Sequence, residues 1–430
     1  MSYVITAPQM LASAATDLAG IGSSLGEANA AAAASTTKVL SAAADEVSAA
    51  IARLFSEHAQ GFQAVSARAS AFHDQLVRSL HASAQAYAGA EAQAIDTLKT
   101  AIFGSAAISP VPATQHPTFS GKPSLTLRIE TGAMRQVRNV LTLSGIYDQM
   151  GNPNSLADRL FAGNALRPLF STSPPKLLTA LLGETVQYTT YDGMSVVQIT
   201  PAHPDGNYVV ALHGGAFVWQ PAIFSWLDYS VMAYQTGATF EVPIYPLLQQ
   251  GGTAGAVVPQ IAGFLSAEIA AHGAPHVSVL GDSAGANIGL AAVEYLVAHN
   301  ETVPAALVLL SPAVDLTLTN PSLGLVHDPF LPAPGTSKYF DIFPRWAGNL
   351  ALNDPLVSPL YGSLDGIPPT YVYAGSIDPA APDALALAEK AVTESAPMSF
   401  VLANGGFHDW ILLSPGGVRY WAQIEHELGA

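Results

Sequence analysis

The chain has 430 residues, of which half are hydrophobic and 11% are charged, and its formal net charge is −16. This length and composition predict one large core and a smaller unit. An anionic surface repels phosphate backbones, so nucleic-acid binding is not expected. The lack of cysteine excludes a thiol nucleophile and a cysteine-based zinc site. No stretch predicts a transmembrane segment, and the first six residues lack the basic start of a Sec signal peptide.

Residues 1–100 are almost all helix formers, rich in Ala, Leu, Gln, Glu and Ser. Between residues 37 and 87, apolar residues recur at spacings of three, four and seven, which places them in one stripe on a helix. A short turn near residues 34–36 therefore predicts an antiparallel helical hairpin. Two helices cannot bury both of their faces, so another surface must cover the stripe.

Residues 101–184 predict a linker followed by a cap-like segment. Pro, Ser and Thr dominate residues 105–125, and this composition is typical of a linker. Residues 126–184 have a moderate helical pattern that glycine and proline interrupt near residues 151–153 and 174–175. The pattern indicates a segment that bridges or covers the domain that follows.

From residue 185 to residue 430 the pattern changes to short apolar strands that alternate with helices. The first two strands predict a β-pair that turns at Asp192-Gly193. Such alternation predicts an α/β fold, with a mostly parallel sheet covered by helices on both faces. The strands are expected at 186–191, 195–200, 208–212, 238–242, 276–280, 306–310, 370–374 and 399–402. The helices are expected at 257–271, 286–299 and 411–428.

The motif Gly281-Asp282-Ser283-Ala284-Gly285 lies between a predicted strand and a predicted helix. This context is typical of a nucleophile elbow, a sharp turn that exposes a serine hydroxyl at the end of a strand. The two glycines keep Cβ atoms out of the strand–helix crossing. A chance match in a chain rich in Ala and Gly is the alternative. We interpret Ser283 as the nucleophile of a serine hydrolase of the α/β-hydrolase type.

A second motif, His213-Gly214-Gly215, directly follows the strand predicted at 208–212. Adjacent glycines at a strand end expose backbone N–H groups, which can stabilise the oxyanion of a tetrahedral intermediate. We expect the N–H groups of Gly214, Gly215 and Ala284 to form this oxyanion hole. An ordinary Gly-Gly turn is the alternative, and His213 itself is interpreted as structural.

The base and the acid of a catalytic triad are expected after the serine, at strand ends. His408 lies in a glycine-rich loop after the strand predicted at 399–402, and Asp378 follows the strand predicted at 370–374. A carboxylate there can accept the Nδ1 proton of the histidine and fix its tautomer. Asp383 and then Asp315 are the alternative acids. The competing histidines downstream of the serine are His299, His327 and His426.

Four motifs resemble those of the hormone-sensitive-lipase family of α/β-hydrolases. They stand at residues 213–215, 281–285, 354–361 and 378–379. The resemblance covers residues 185–430, the predicted catalytic domain. This chain has Ala216 where the family has a third glycine, which reshapes the oxyanion loop, and it lacks the family's residues after Asp378-Pro379. The resemblance implies a carboxylic-ester hydrolase.

The first hundred residues resemble the PE domain of mycobacteria, although Pro8-Gln9 stands where that family has Pro-Glu. The spacing of Tyr87 and Glu91 resembles the Tyr-x-x-x-Glu element of type VII secretion signals. The whole arrangement is similar to the PE-family triacylglycerol lipases. This resemblance implies export to the cell envelope, a PPE-family partner that covers the apolar stripe, and a lipid ester, such as triacylglycerol, as substrate.

Aromatic residues at 217–226, near the oxyanion loop, predict apolar walls of the site, and those at 330–346 predict a cap over it. Such surfaces suit acyl chains. Ordinary packing of the core and cap is the alternative. The expected chemistry passes through an acyl-enzyme and needs no metal or organic cofactor. Two alternatives remain at this point. The chain could be an envelope interaction protein with an inactive hydrolase domain, or an acyltransferase that uses an alcohol instead of water.

Overall fold

The computed structural model describes residues 8–103, 107–150, 152, 155–157, 159, 166 and 169–430, and no side chain within 90–103. The residues considered for a signal peptide and the predicted break at residues 151 and 153 lie outside this part, as does the side chain of Glu91. The chain divides into two compact units, Met1–Lys99 and Thr100–Ala430.

The N-terminal unit is built from two helices, α1 (Pro8–Thr37) and α2 (Glu46–Phe103), so the predicted helical hairpin is confirmed. The turn comes later than expected, since α1 ends at Thr37, whose hydroxyl donates to the Ala33 carbonyl, and α2 begins at Glu46. Asp45 then caps α2, since its carboxylate accepts the N–H of Ser48 at 2.8 Å.

Small residues bring the two helices of this unit together, and Ala15, Ala52 and Ala84 are its buried side chains. The imidazole Nε2 of His73 on α2 lies 2.7 Å from the Leu18 carbonyl of α1. The large apolar side chains of α2 instead face solvent. We call them the α2 stripe, which consists of Val47, Ile51, Leu54, Phe55, Phe62, Val65, Phe72 and Leu76.

The C-terminal unit contains one sheet of nine strands in the described residues, in the order β1-β9-β8-β7-β6-β4-β5-β3-β2. The bounds are β1 Val111–Pro112, β2 Thr185–Tyr191, β3 Met194–Thr200, β4 Tyr208–Leu212, β5 Thr239–Ile244, β6 Val277–Asp282, β7 Leu307–Leu310, β8 Thr370–Gly375 and β9 Met398–Ala403. All pairs from β5 through β4 to β9 are parallel, whereas β1–β9, β2–β3 and β3–β5 are antiparallel. The mostly parallel α/β fold is confirmed.

Helices cover both faces of this sheet. Their bounds are α3 Leu125–Leu143, α4 Ile146–Met150, α5 Lys176–Leu182, α6 Ile223–Thr236, α7 Ala254–His272, α8 Ala284–Ala298, α9 Ile342–Ala347, α10 Ala381–Thr393, α11 Trp410–Leu413 and α12 Trp421–Glu427. Helices α7, α8 and α10 pack in one apolar core, and α6, α11 and α12 pack in the other. Every residue of β6 is buried, as expected of a central parallel strand.

By length and composition, α7 is the one helix among the described residues that could cross a membrane. The expectation that no stretch has this character was therefore wrong. Val257, Ile261 and Leu265 of α7 are fully buried in the core of the unit. A helix covered in this way by the sheet and by α8 is apolar for the same reason as other core helices.

The predicted linker at residues 105–125 is also wrong in part. Val111 and Pro112 form the edge strand β1, which pairs with Phe400 and Ser399 of β9. Proline tolerates such a position because an edge strand leaves its N–H side unpaired. Sequence patterns also missed α6, α9 and α10, and they joined α11 and α12 into one helix.

Candidate active site

The structure places Ser283 in a sharp turn between β6 and α8. Its φ of 50° and ψ of −111° are unfavourable for a residue with a side chain, and such strain is typical of nucleophile elbows. A Cβ at Gly285 would lie 1.9 Å from the Leu212 carbonyl oxygen, and a Cβ at Gly281 would lie 2.7 Å from the Gly285 oxygen. Only glycine fits at either side of this crossing.

Three predicted site residues meet at this turn. The hydroxyl Oγ of Ser283 lies 2.7 Å from Nε2 of His408, and Nδ1 of His408 lies 2.8 Å from Oδ1 of Asp378. Ser283 follows β6, Asp378 follows β8 and His408 follows β9. In the sheet, β9 and β8 are neighbours, and β7 lies between β8 and β6. The serine proton can therefore pass to an imidazole whose tautomer the carboxylate fixes.

The alternative acids lie elsewhere. Asp383 Oδ1 accepts a hydrogen bond from the Asn320 amide at 2.8 Å, and Asp315 Oδ2 accepts one from the Tyr361 hydroxyl at 3.2 Å. Neither carboxylate is hydrogen-bonded to His408. The competing histidines His299, His327 and His426 are all exposed.

The oxyanion loop requires one correction. The N–H of Gly214, an expected oxyanion donor, donates instead to Oδ2 of Asp282 at 2.9 Å. The two N–H groups that follow, of Gly215 and Ala216, have no acceptor among the described residues. With the N–H of Ala284 at the start of α8, they are the donors available for an oxyanion. The third loop position thus supplies a donor although it is not glycine.

The backbone of this loop is held in an unusual conformation. Ala216 and Phe217 both have positive φ values, 52° and 63°. The buried His213 fixes the start of the loop, because its Nδ1 lies 2.7 Å from the Gly214 carbonyl and its ring stacks on Tyr245. Burial lowers the pKa of His213 to about 4, so the ring is neutral and Nδ1–H donates to the carbonyl. The structural role expected for His213 agrees with these contacts.

Ser283 and His408 lie at the base of two cavities. The larger, of about 460 Å³, is lined mainly by apolar side chains. The smaller, of about 70 Å³, extends toward the segment expected to form a cap. The residues that line the larger cavity include Met134, Val137, Leu169, Trp219, Phe224 and Leu413. The residues that line the smaller cavity include Leu318, Leu331, Tyr339, Phe340 and Phe343.

One aromatic residue expected to be a wall is a core residue instead: Trp226 is buried and its indole N–H donates to the Ser171 carbonyl. Phe217 stacks on Trp346 with ring centroids 4.0 Å apart and also lines the smaller cavity. The cap-like segment does contribute, since Met134 and Val137 of α3 line the larger cavity.

Sequence reasoning missed two acids near the imidazole. Asp328 Oδ2 accepts the backbone N–H of His408 at 2.8 Å. The two residues are 80 positions apart in the sequence, so no local pattern indicates this contact. Asp409 Oδ2 lies 3.6 Å from His408 Nε2. Its place directly after the histidine was the available signal. Within the described residues, no cluster of three or more His, Asp or Glu side chains could hold a metal ion.

The electrostatics of the site follow from this burial. Burial lowers the pKa of His408, but the negative charges of Asp409 and Asp378 outweigh it and raise the pKa to about 10. Burial also raises the pKa of Asp282 well above its ordinary value, and the charge of Asp409 adds to this effect. The site is therefore a buried cluster of carboxyl groups around one imidazole.

Two family models match the chain, the PE family over residues 4–94 and the alpha/beta hydrolase fold over residues 209–412. The triacylglycerol lipase of Mycobacterium tuberculosis is 49% identical over an alignment that covers 100% of this chain and 99% of the relative. The PE-PGRS family protein PE_PGRS33 of the same organism is 66% identical over 92 residues, which cover 21% of this chain and 20% of that protein.

Among solved structures, a hormone-sensitive lipase from a metagenome library matches with a TM-score of 0.57 and 20% identity. The match covers 70% of this chain and 98% of that one. At this identity the likeness establishes the fold alone. The full-length match to the mycobacterial protein establishes the relationship of the whole chain.

Proposed function

This chain belongs to the family of the Mycobacterium tuberculosis triacylglycerol lipase, and we propose that it hydrolyses triacylglycerol through Ser283, His408 and Asp378. Membership of this family makes the chain a carboxylic-ester hydrolase. The observation that carries the residue assignment is the 2.7 Å contact between Ser283 Oγ and His408 Nε2, at the base of an apolar cavity.

In the proposed reaction, His408 Nε2 takes the Ser283 proton while Oγ attacks the ester carbonyl carbon. The carbonyl oxygen becomes an oxyanion, and the N–H groups of Gly215, Ala216 and Ala284 supply its hydrogen bonds. The imidazolium then protonates the leaving alcohol, which leaves an acyl-enzyme. Water, activated by His408, hydrolyses that acyl-enzyme and releases the fatty acid.

The cavities support a fatty ester as substrate. Acyl chains gain free energy by leaving water, about 0.8 kcal/mol for each buried methylene, so a predominantly apolar cleft favours them. The larger cavity opens beside Ser283 between α3 and the residues that follow the oxyanion loop. The family relative named for triacylglycerol supports this class of ester.

The decisive experiment replaces the nucleophile. We expect Ser283→Ala to lower the hydrolysis of triolein emulsions and of p-nitrophenyl esters by roughly 10⁵-fold or more, because no other group can form the acyl-enzyme. Circular dichroism and the melting temperature of the variant check that the fold is intact. A fluorophosphonate probe should label the natural protein and leave the variant unlabelled.

Two outcomes would contradict the proposal. Retained ester hydrolysis by folded Ser283→Ala would remove Ser283 as the nucleophile. Failure of the natural protein to react with the probe would instead favour an interaction protein with an inactive hydrolase domain. Product analysis with added alcohol distinguishes hydrolysis from acyl transfer, since a transferase forms the new ester in place of the fatty acid.

The N-terminal unit supports a second role for the same molecule. We propose that residues 1–100 direct export to the cell envelope by type VII secretion, and that a PPE-family protein covers the α2 stripe. Exposed Val, Leu and Phe side chains along one face of α2 suit the surface of another helix. Tyr87, the first residue of the proposed secretion element, is exposed on α2.

A further inference from the structure

Asp409 stands out among the acids of the site because it faces the reactive nitrogen of the imidazole. Its Oδ2 lies 3.6 Å from His408 Nε2, the atom that also contacts Ser283 Oγ at 2.7 Å. Asp378, in contrast, binds the opposite nitrogen, Nδ1. The imidazole thus lies between two carboxyl groups, one on each nitrogen.

The backbone fixes the position of Asp409. Its N–H donates to the Ser311 hydroxyl at 2.9 Å, and its φ of 56° and ψ of 29° place it in the left-handed region. Aspartate and asparagine adopt this conformation more readily than most residues. The carbonyl of Asp409 also accepts the N–H groups of Leu412 and Leu413 in the first turn of α11.

The side chain of Asp409 has little solvation. It is 15% exposed, and its Oδ1 is buried without a hydrogen-bond partner in the described residues. The acids Asp328, Asp378 and Asp282 and the hydroxyl of Tyr339 are the titratable groups that act on the Asp409–His408 pair from neighbouring elements. None of these groups carries a compensating positive charge.

Two carboxyl groups near one imidazole compete for protons. Burial raises the pKa of Asp409 to about 7, although the charge of His408 opposes this effect. While Asp409 is ionised, its charge favours the proton on His408, which has the higher pKa of the two groups. A proton held by His408 Nε2 leaves an imidazolium that cannot act as a base.

We propose that Asp409 is a positioning residue for the proposed hydrolysis, and that its carboxyl group beside His408 Nε2 controls the protonation of the imidazole and the pH range in which Ser283 is activated. The proposal rests on the proposed function. Ionised Asp409 stabilises the imidazolium through its negative charge. Loss of that charge lowers the pKa of the imidazole, so the neutral base form of His408 extends to lower pH.

The test is the variant Asp409→Asn in the full chain. Asparagine keeps the size and tolerates the left-handed backbone, but it carries no charge. The acid limb of kcat/KM reports the ionisation of His408 in the free enzyme. Because ionised Asp409 raises the pKa of His408, its removal lowers that pKa, and we expect the limb to move by about 1 to 3 pH units toward lower pH.

A second measurement does not depend on turnover. The imidazole ¹⁵N signals of His408, assigned by their absence in His408→Gln, should titrate at lower pH in Asp409→Asn by the same interval. Absence of lipid hydrolysis would then count against the proposed function alone. A merely structural role of Asp409 would lower activity at all pH values and leave both midpoints in place.

The control is Glu427→Gln. Glu427 is also a buried carboxyl group, with a pKa that burial raises to about 7, but it binds the Tyr373 hydroxyl at 2.7 Å and has no contact with His408. We expect this variant to leave both midpoints unchanged. Should Asp409→Asn not fold, Asp409→Gly removes the same charge and suits the same φ. Unchanged midpoints in a folded, uncharged variant would overturn the proposal.

Discussion

At the scale of single residues, the site depends on a few close approaches that exclude side chains. Gly214 contributes no oxyanion donor, yet its place is as restricted as those of Gly281 and Gly285. A Cβ there would lie 2.2 Å from Oδ2 of Asp282, the carboxyl group that accepts the Gly214 N–H. The residue before the nucleophile thus holds the oxyanion loop in place.

This arrangement predicts that Gly214→Ala impairs catalysis without removing a catalytic atom. The added methyl group displaces Asp282 or the loop, so the donors of Gly215 and Ala216 shift from the oxyanion. We expect kcat to fall by about 10²-fold, as for the loss of one oxyanion donor. Steady-state kinetics on a soluble p-nitrophenyl ester measure the effect.

The matched control is Gly255→Ala. This glycine is the second residue of α7, and an added Cβ would meet Leu350 at an ordinary 3.5 Å. The substitution should leave kcat and the fold unchanged, since alanine is at least as good a helix former as glycine. An equal loss of activity in both variants would contradict the special role of Gly214.

At the scale of elements, the sequence predicted the central strands well because their apolar runs are continuous and buried on both faces. The strands of Ser283, Asp378 and His408 lie within two residues of their expected bounds. Helix α6 was missed because Phe224 and Trp226 were interpreted as walls of the site. The pair of Gly214 with Asp282 was missed because it joins two strand ends 68 residues apart.

We expect two truncations to differ in effect, because residues 101–184 are kept in one and removed in the other. Deletion of residues 1–100 should leave ester hydrolysis unchanged or higher, because β1 and α3 remain. Deletion of residues 1–184 removes β1 from the sheet and removes Met134 and Val137 from the larger cavity. That protein should have a lower melting temperature and lower hydrolysis of long acyl esters.

Both truncated proteins are compared with the full chain by differential scanning calorimetry and by hydrolysis of butyrate and oleate esters. Equal stability and equal activity of the two would contradict the contribution of residues 101–184. A folded but inactive 101–430 protein would contradict the division into separate units.

At the scale of the whole molecule, the two units place their large apolar side chains differently. The C-terminal unit has two apolar cores, although it also exposes side chains such as Leu143 and Leu325, whereas α2 exposes eight along one face. An exposed face of that size is typical of an interaction surface. The sequence predicted this stripe from its spacing, but no pattern within one chain could identify what covers it.

If a partner protein covers the α2 stripe, a negative charge placed in the stripe should prevent binding. We expect Phe62→Glu and Phe72→Glu to abolish copurification with a coexpressed PPE-family protein and to lower export from a mycobacterial host, because a carboxylate cannot be buried unpaired in an apolar interface. The exposed Gln60 lies on another face of α2, so Gln60→Glu is the matched control. Esterase activity should stay unchanged in all three. Export equal to that of the control would contradict the proposal.

The short strand β1 has a consequence for any maturation of this protein. Val111 and Pro112 lie along the outer edge of β9, and the loop that follows β9 holds His408. Any protease that frees the hydrolase with its sheet complete must cut the chain before residue 111. The N-terminus of a mature hydrolase must therefore precede β1, which covers the edge of β9. The start of the motifs that carry the proposed catalytic residues does not set this limit.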